Sequence, residues 1–207
     1  MSDDLLHRIG SVLHAEADVL LAAEFNRQEL QAFLSESESG LQAATVLFGL
    51  VPRPEGLQVL LTKRSPHLRH HPGQISFPGG RREPEDASLF DSALREAQEE
   101  IALQPQAVRL LGHLEPMITI TGFRVFPVVA MIDPAYTATP DGVEVETLFE
   151  APLDLFLHTE NEKPFQLQFK GEQRQLVAFD WQEHRIWGAT ASVLIHLRSR
   201  LQQTGWH

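Results

Sequence analysis

Residues 94–100 read Leu94-Arg95-Glu96-Ala97-Gln98-Glu99-Glu100, and they follow a turn at Phe77-Pro78-Gly79-Gly80. In an α-helix, positions i, i+3 and i+4 lie on one face, so a helix here brings Glu96, Glu99 and Glu100 together. Like charges at this spacing destabilise a helix by roughly 0.2–0.5 kcal/mol per pair. A divalent cation removes the repulsion, and carboxylate oxygens suit Mg²⁺ or Mn²⁺. The alternative is an ordinary solvated acidic face, with Glu99 paired to Arg95.

The flanking sequence predicts how this helix is placed. Residues 74–77 alternate polar and apolar side chains, as in a half-buried strand, and the strand is broken at Pro78-Gly79-Gly80. We predict a helix over residues 87–102 with Asp86 as its N-cap. One stripe of the helix is apolar, so it can pack on a core while its acids face a cleft. That stripe consists of Phe90, Ala93, Leu94, Ala97 and Ile101.

The segment from Gly80 to Ala102 resembles a Nudix box. The pattern of that family is Gly, five residues, Glu, seven residues, then Arg-Glu-hydrophobic-x-Glu-Glu-x-Gly-hydrophobic. Residues 95–100 match each fixed position, whereas Ala102 replaces the late glycine. The loop from Gly80 to Arg95 is one residue longer than the pattern, and Ala87 stands where the early glutamate belongs. Either Glu85 or Asp86 takes the part of that glutamate, or no residue does.

A second motif occupies residues 60–80 and runs directly into the box. It resembles the signature of coenzyme A pyrophosphatases, which reads Leu-Leu-Thr-x-Arg-Ser, three residues, Arg, three residues, Gly, three residues, Phe-Pro-Gly-Gly. Every fixed position of that signature is filled here. The resemblance implies a Nudix-type α/β/α sandwich with a mixed sheet. It also implies metal-dependent hydrolysis of the diphosphate of coenzyme A or its derivatives, giving 3′-phosphoadenosine 5′-phosphate and 4′-phosphopantetheine.

Breaking a diphosphate requires shielding of negative charge and an activated water. We assign metal binding to the three helix glutamates. A backbone carbonyl of Gly79 or Gly80 would complete the set of metal ligands. Glu99 is our choice to orient or deprotonate the water. Arg95 is expected to hold the glutamates in position. A further acid is expected from a distant loop, with Glu144 as the first choice and Glu146 as the second.

Basic residues upstream of the box are the candidates for substrate binding. If the substrate is coenzyme A, Arg64 and Arg69 are expected to bind its 3′-phosphate, because guanidinium groups bind phosphate through two hydrogen bonds. Lys63 is expected to contribute to the same basic rim, and Gly73 to serve backbone geometry. For each of these charges the alternative is a solvated loop residue. We interpret Trp187 as core packing.

Composition excludes several classes of function. The 207 residues carry a net charge of −11, which argues against broad nucleic-acid binding. The chain has no cysteine, so disulfides, thiolate metal sites and thiol nucleophiles are excluded. No apolar run reaches membrane-spanning length, and the acidic start Met1-Ser2-Asp3-Asp4 is unlike a signal peptide. The expectation is a cytoplasmic protein whose partner is a small-molecule diphosphate rather than nucleic acid or a membrane.

Hydrophobic periodicity divides the chain into two predicted units. Residues 1–38 read as an N-terminal helical extension, which packs on the main domain or on a neighbouring subunit of a homodimer. Residues 39–207 read as the Nudix hydrolase domain. Within it we predict strands at 43–51, 57–63, 108–114 and 124–133, a hairpin at 165–179 and a closing helix at 190–203.

Three other functions compete with coenzyme A hydrolysis. A Nudix hydrolase of another nucleoside diphosphate derivative would share the box, but it has no reason to carry the upstream signature. A non-catalytic ligand-binding module is favoured by lost carboxylates, yet all three helix glutamates are present. An isomerase on this fold would usually require a cysteine, which the chain lacks.

Overall fold

The computed structural model describes residues 2–30, 40–169 and 172–206. The helices are α1 (Ser2–Val12), α2 (Glu16–Leu21), α3 (Arg27–Leu30), α4 (Leu89–Ile101), α5 (Leu153–Leu157) and α6 (Ala189–Gln203). The strands are β1 (Gln42–Arg53), β2 (Gly56–Arg64), β3 (Ile75–Ser76), β4 (Gly79–Arg81), β5 (Val108–His113), β6 (Met117–Ile118), β7 (Phe123–Ile132), β8 (Val145–Pro152), β9 (Lys163–Phe169), β10 (Glu172–Trp181) and β11 (His184–Trp187). Single 3₁₀ turns lie at Pro105–Ala107 and Thr159–Asn161.

Strand β1 lies at the centre of a mixed sheet. It runs parallel to β7 on one side and antiparallel to β2 and β4 on the other. Strands β3 and β8 extend the sheet beyond β2, and β5 and β6 pair with β7. The middles of β1 and β2 are almost continuously buried because both faces of the sheet are covered, which explains their long apolar runs.

Two apolar clusters fill the space above and below this sheet. On one face, α4 packs through Leu89, Ala93, Ala97 and Ile101 against Leu47, Leu60 and Phe126. On the other face, α1, α5 and α6 pack with the three-stranded sheet β9–β11 against residues that include Phe48, Leu61 and Val129. The predicted α/β/α sandwich with a mixed sheet is therefore confirmed.

The double glycine is not the plain strand break that the sequence predicted. Gly79 and Gly80 begin the short strand β4, which pairs with residues 44–46 of β1, whereas β2 pairs with residues 50–53 of the same strand. A side chain at Gly79 would collide with the backbone of Thr45 and Val46, so only glycine allows this close approach. Strand β1 thus changes partner along one edge, and α4 crosses next to that point.

Helix α4 begins and ends slightly inside the predicted range. Its N-cap is Ser88, whose hydroxyl accepts the amide N–H of Asp91 at 3.0 Å, and not Asp86 as we predicted. Asp86 does not cap the helix because both of its carboxylate oxygens accept hydrogen bonds from Arg95. The helix ends at Ala102 in the left-handed conformation with a φ of 54°. Glycine adopts this conformation more readily than alanine, which explains why the family pattern has glycine here.

The remaining predictions compare with the structure as follows. The four predicted strands correspond to β1, β2, β5 and β7, the hairpin to β9 and β10, and the closing helix to α6. Strands β8 and β11 were not predicted. The N-terminal segment is helical in α1 to α3, but the predicted boundary between residues 38 and 39 lies outside the described residues. Within the described ranges, no helix is long and apolar enough to cross a membrane.

Candidate active site

The acidic face of α4 lies beside β4, as the sequence predicted. Ala97 and Ile101 of the helix are buried against the sheet, which places the glutamates toward the glycines. Glu100 is only 6% exposed, and its carboxylate accepts the backbone N–H of Gly79 at 3.0 Å. Burial is the main cause of a pKa raised to about 8 for Glu100, and the nearby carboxylates of Glu96 and Glu144 raise it further.

Glu96 lies against the second glycine of the turn. A side chain at Gly80 would overlap the Glu96 carboxyl group, so the glycine makes room for the acid. Burial raises the pKa of Glu96, and the neighbouring charges of Glu99 and Glu144 act in the same direction. Two partly desolvated carboxylates with raised pKa values are the electrostatic mark of a cation site or a catalytic site.

Arg95 is the hydrogen-bonding centre of this site. Its guanidinium donates to both oxygens of Asp86 at 3.0 and 3.1 Å and to Glu96 at 2.9 Å. It also donates to Glu99 at 3.2 Å and to the backbone carbonyl of Arg81 at 2.9 Å. The hydrogen bonds from Arg95 hold the pKa of Asp86 well below its usual range. One arginine therefore ties the helix to the loop that precedes it.

A second acidic element reaches the helix from the loop before β8. The Glu144 side chain is 56% exposed, and one carboxylate oxygen lies 3.9 Å from the Arg64 guanidinium. The charge of Glu144 acts on both Glu96 and Glu100, which places the three acids in one electrostatic neighbourhood. Glu146, our second choice for the loop acid, instead pairs with Lys63 at 2.8 Å.

The predicted substrate residues fall into two groups. Arg64 borders the acids: its charge lowers the pKa of Glu100, and its Nε is buried without a hydrogen-bond partner among the described residues. Arg69 is exposed on the loop between β2 and β3, away from any contact that would fix it to the acids. Gly73, on the same loop, has a φ of +68°, which favours glycine. Trp187 is only partly buried and packs edge-on against Phe165.

The glutamates fit a hard divalent cation by chemistry and by charge. Asp86, Glu96, Glu99 and Glu100 outnumber the single arginine among them, and burial raises the pKa of Glu96 and of Glu100, so the ionised carboxylates would be stabilised by a nearby cation. Among the residues described, however, no three acidic or histidine side chains are preassembled as a metal site. Glu96, Glu99 and Glu100 each use one carboxylate oxygen in the hydrogen bonds described above, which leaves the second oxygen of each to face a cation.

Comparisons with known proteins decide the family. The NUDIX domain profile matches residues 43–180, which include both motifs and the acids described above. The chain belongs to the Nudix hydrolase family. A Salmonella paratyphi B protein named uncharacterized Nudix hydrolase NudL is 42% identical over 172 residues, covering 82% of this chain and 88% of the relative. A Shigella sonnei protein of the same name is 38% identical over 200 residues, covering 95% and 93%.

Solved structures are more distant than these sequence relatives. A Nudix hydrolase from M. smegmatis, RenU, is 24% identical with a TM-score of 0.48, covering 55% of this chain and 72% of that chain. Nudix hydrolases generally use divalent metal ions such as Mg²⁺ or Mn²⁺, which agrees with the donor set on α4.

The structure gives Asp86 and Asp141 roles that the sequence had left open or had not assigned. Asp86 binds the box arginine, whereas Ala87, at the pattern position of the early glutamate, is exposed. Asp141 folds the loop that carries Glu144 and accepts three backbone N–H groups within it. An Asp-Gly pair before a strand is a turn signal, so Asp141 was recognisable from sequence as a turn former, whereas its hydrogen bonds to the backbone around the predicted loop acid Glu144 were not.

Proposed function

We propose that this Nudix domain hydrolyses the diphosphate bond of coenzyme A or one of its derivatives. The products would be 3′-phosphoadenosine 5′-phosphate and 4′-phosphopantetheine, or its acyl form. The observation that carries the proposal is the position of Arg64. This signature arginine lies next to the box acid Glu100 and the loop acid Glu144, which supports a single site shared by the upstream motif and the Nudix box.

The proposed cofactor is Mg²⁺ or Mn²⁺. Glu96, Glu99 and Glu100 would hold it, together with the backbone carbonyl of Gly80 or Gly79. When bound, a divalent cation shields the charge of the diphosphate and lowers the pKa of a coordinated water. Hard carboxylate donors on a rigid helix suit either ion.

The protein side chains would then orient the reactants. Glu99 on the helix would orient or deprotonate the attacking water, and Glu144 is exposed enough to act on the same water from the loop side. Arg95 would hold Glu96 and Glu99 in place through the hydrogen bonds it already makes. Arg64 would bind substrate phosphate through the exposed part of its guanidinium, and the exposed Arg69 and the rim residue Lys63 would add phosphate contacts.

The first test is hydrolysis by the purified protein with Mg²⁺ or Mn²⁺, with products resolved by chromatography. Coenzyme A, NADH and ADP-ribose would be compared, together with the variants Glu99→Gln and Glu100→Gln. We expect cleavage of coenzyme A and a loss of roughly 10²–10³-fold in the variants. Glu55→Gln, in the exposed turn between β1 and β2, is the matched control and should keep full activity.

Two other outcomes would redirect the assignment. If coenzyme A survives while another nucleoside diphosphate derivative is cleaved, the site is a Nudix hydrolase with a different substrate. If coenzyme A binds but no substrate is cleaved, the protein is a ligand-binding module. The phosphate role of the arginines has its own test, because Arg69→Ala should reduce the preference for coenzyme A over dephospho-coenzyme A.

The predicted division at residue 38, a homodimer and a cytoplasmic location remain predictions. We propose them together with the hydrolase activity, and the net charge of −11 favours a small-molecule partner over nucleic acid. Sedimentation of the purified protein would decide between monomer and dimer.

A further inference from the structure

The loop that carries Glu144 is fastened to the end of helix α4. The amide N–H of Thr139 donates to the carbonyl of Ile101 at 2.8 Å, and that of Asp141 donates to the carbonyl of Glu100 at 2.9 Å. These bonds use carbonyls of the last helical turn, which have no partner inside the helix. The loop and the box glutamates therefore share one backbone framework.

Asp141 then folds the loop back on itself. Its Oδ1 accepts the backbone N–H groups of Val143, Glu144 and Val145 at 3.2, 3.1 and 2.8 Å, and its Oδ2 accepts that of Glu144 at 3.1 Å. Although burial opposes ionisation, these hydrogen bonds lower the pKa of Asp141. Both carboxylate oxygens are directed at the loop backbone, so Asp141 is built to shape the loop.

These hydrogen bonds fix the backbone of Glu144. Its N–H is bound by Asp141, and its carbonyl accepts the N–H of Ser65 at 2.8 Å. The side chain itself is held weakly, since its nearest cationic group, on Arg64, lies 3.9 Å away. The position of the Glu144 carboxylate is thus set by the backbone and not by side-chain contacts.

We propose that Asp141 is a positioning residue that holds Glu144 at the acids of α4 for the hydrolytic reaction. This inference rests on the proposed function, because it assumes that Glu144 acts on the attacking water. Without the Asp141 carboxylate, three backbone N–H groups lose their acceptor and the loop can move Glu144 away. A displacement of about 1 Å at a catalytic group costs on the order of 100-fold in rate.

The test is a double-mutant cycle with Asp141→Ala, Glu144→Gln and the two combined. The substrate is whichever diphosphate the wild-type protein cleaves. We expect Asp141→Ala to lower kcat by roughly 30–100-fold with little change in KM. In the Glu144→Gln background the same change should cost less than about 3-fold, because residues that act as a unit are not additive.

Two further variants separate positioning from general damage. Asp141→Asn keeps one carbonyl oxygen as acceptor and should retain most of the activity. Asp133→Ala is the matched control, since Asp133 makes a comparable turn bond to the N–H of Ala135 at 2.8 Å outside this loop. It should leave kcat unchanged.

The proposal is overturned if the losses from Asp141→Ala and Glu144→Gln multiply, or if Asp141→Ala or Glu144→Gln alone leaves kcat unchanged while Glu100→Gln is inactive. If the wild-type protein cleaves no diphosphate, the proposed function fails instead. Amide hydrogen exchange then tests whether Asp141 holds the loop backbone. Faster exchange at Glu144 and Val145 in Asp141→Ala supports this role, and unchanged exchange rejects it.

Discussion

Two partly buried ionic clusters in this molecule have opposite charge balance. Around Arg95, one guanidinium contacts Asp86, Glu96 and Glu99, and Glu100 lies close by. Around Glu115, one carboxylate contacts His14 at 3.1 Å, His196 at 2.8 Å and Arg200 at 3.4 Å. The ring of Phe25 stacks on His196 at 3.9 Å and covers that cluster.

The pKa values of Glu115 and Glu100 differ in the direction that the charge balance of their clusters predicts. Burial works against the charge of Glu115, but its hydrogen bond with His196 and the contact with His14 lower the pKa to about 2. Burial raises the pKa of Glu100 to about 8 without a comparable set of partners. A buried charge without sufficient partners destabilises a fold, so the surplus acids of α4 indicate function whereas the Glu115 cluster indicates structure.

The sharpest contrast is expected for Glu100→Gln. The amide keeps an acceptor for the Gly79 N–H and removes the repulsion among the acids, so the metal-free protein should be no less stable. Activity should fall by roughly 10²–10³-fold, because a ligand of the proposed cation is lost. Chemical unfolding and the hydrolysis assay measure the two effects on the same preparation. A clear loss of stability would contradict the reading of Glu100 as a surplus charge.

Glu115→Gln should behave in the opposite way. The neutral side chain leaves Arg200 without its counter-charge and weakens the contacts with His14 and His196, and we expect a loss on the order of 3 kcal/mol in the free energy of unfolding at pH 7. The rate of hydrolysis should stay within about 2-fold of wild type, since Glu115 is not among the acids of α4. Urea unfolding is the measurement. Equal stability of wild type and Glu115→Gln would contradict a structural role for the Glu115 cluster.

The same cluster predicts a pH dependence of stability. The folded-state pKa of Glu115, about 2, lies below its ordinary value of 4.5, so its stabilisation is complete above pH 4.5 and is lost as the pH falls toward 2. The difference in unfolding free energy between wild type and Glu115→Gln should therefore shrink over this window. Unfolding titrations at several pH values test it, and a constant difference would show that the charge of Glu115 is not what stabilises the fold.

The sequence predicts the helical cluster well because its signal is local. The spacing of the glutamates and the apolar stripe both follow from 3.6 residues per turn, so α4 and its acidic face were predictable. Strands β1, β2 and β7 were predictable because burial on both faces makes them almost continuously apolar.

Features that depend on distant partners were not predictable in the same way. Asp86 has good N-cap chemistry, but Arg95 binds it and Ser88 caps the helix instead. The double glycine has the composition of a turn, yet it forms strand β4 by pairing with β1. The Glu115 cluster joins residues up to 186 positions apart, from His14 to Arg200, and no local sequence pattern predicts such contacts.

The smallest predicted effect concerns a connection between the two clusters. His14 contacts Glu115, and two residues later the Glu16 carboxylate accepts the N–H of Leu89, the first residue of α4, at 3.0 Å. An acid at a helix N-terminus stabilises it through its hydrogen bond and the helix dipole. We therefore expect Glu16→Ala to cost about 0.5–1 kcal/mol and to speed amide exchange in the first turn of α4.

Asp18→Asn, on the exposed side of the same short helix, is the matched control and should leave that exchange unchanged. Because Leu89 lies about two helical turns before Glu96, fraying of the first turn should leave the acids in place, and kcat should fall by no more than about 3-fold. A larger loss of activity would mean that the N-terminal segment sets the position of the glutamates themselves, and that the two clusters are mechanically coupled. Unchanged exchange in Glu16→Ala would mean that Ser88 alone secures the start of the helix.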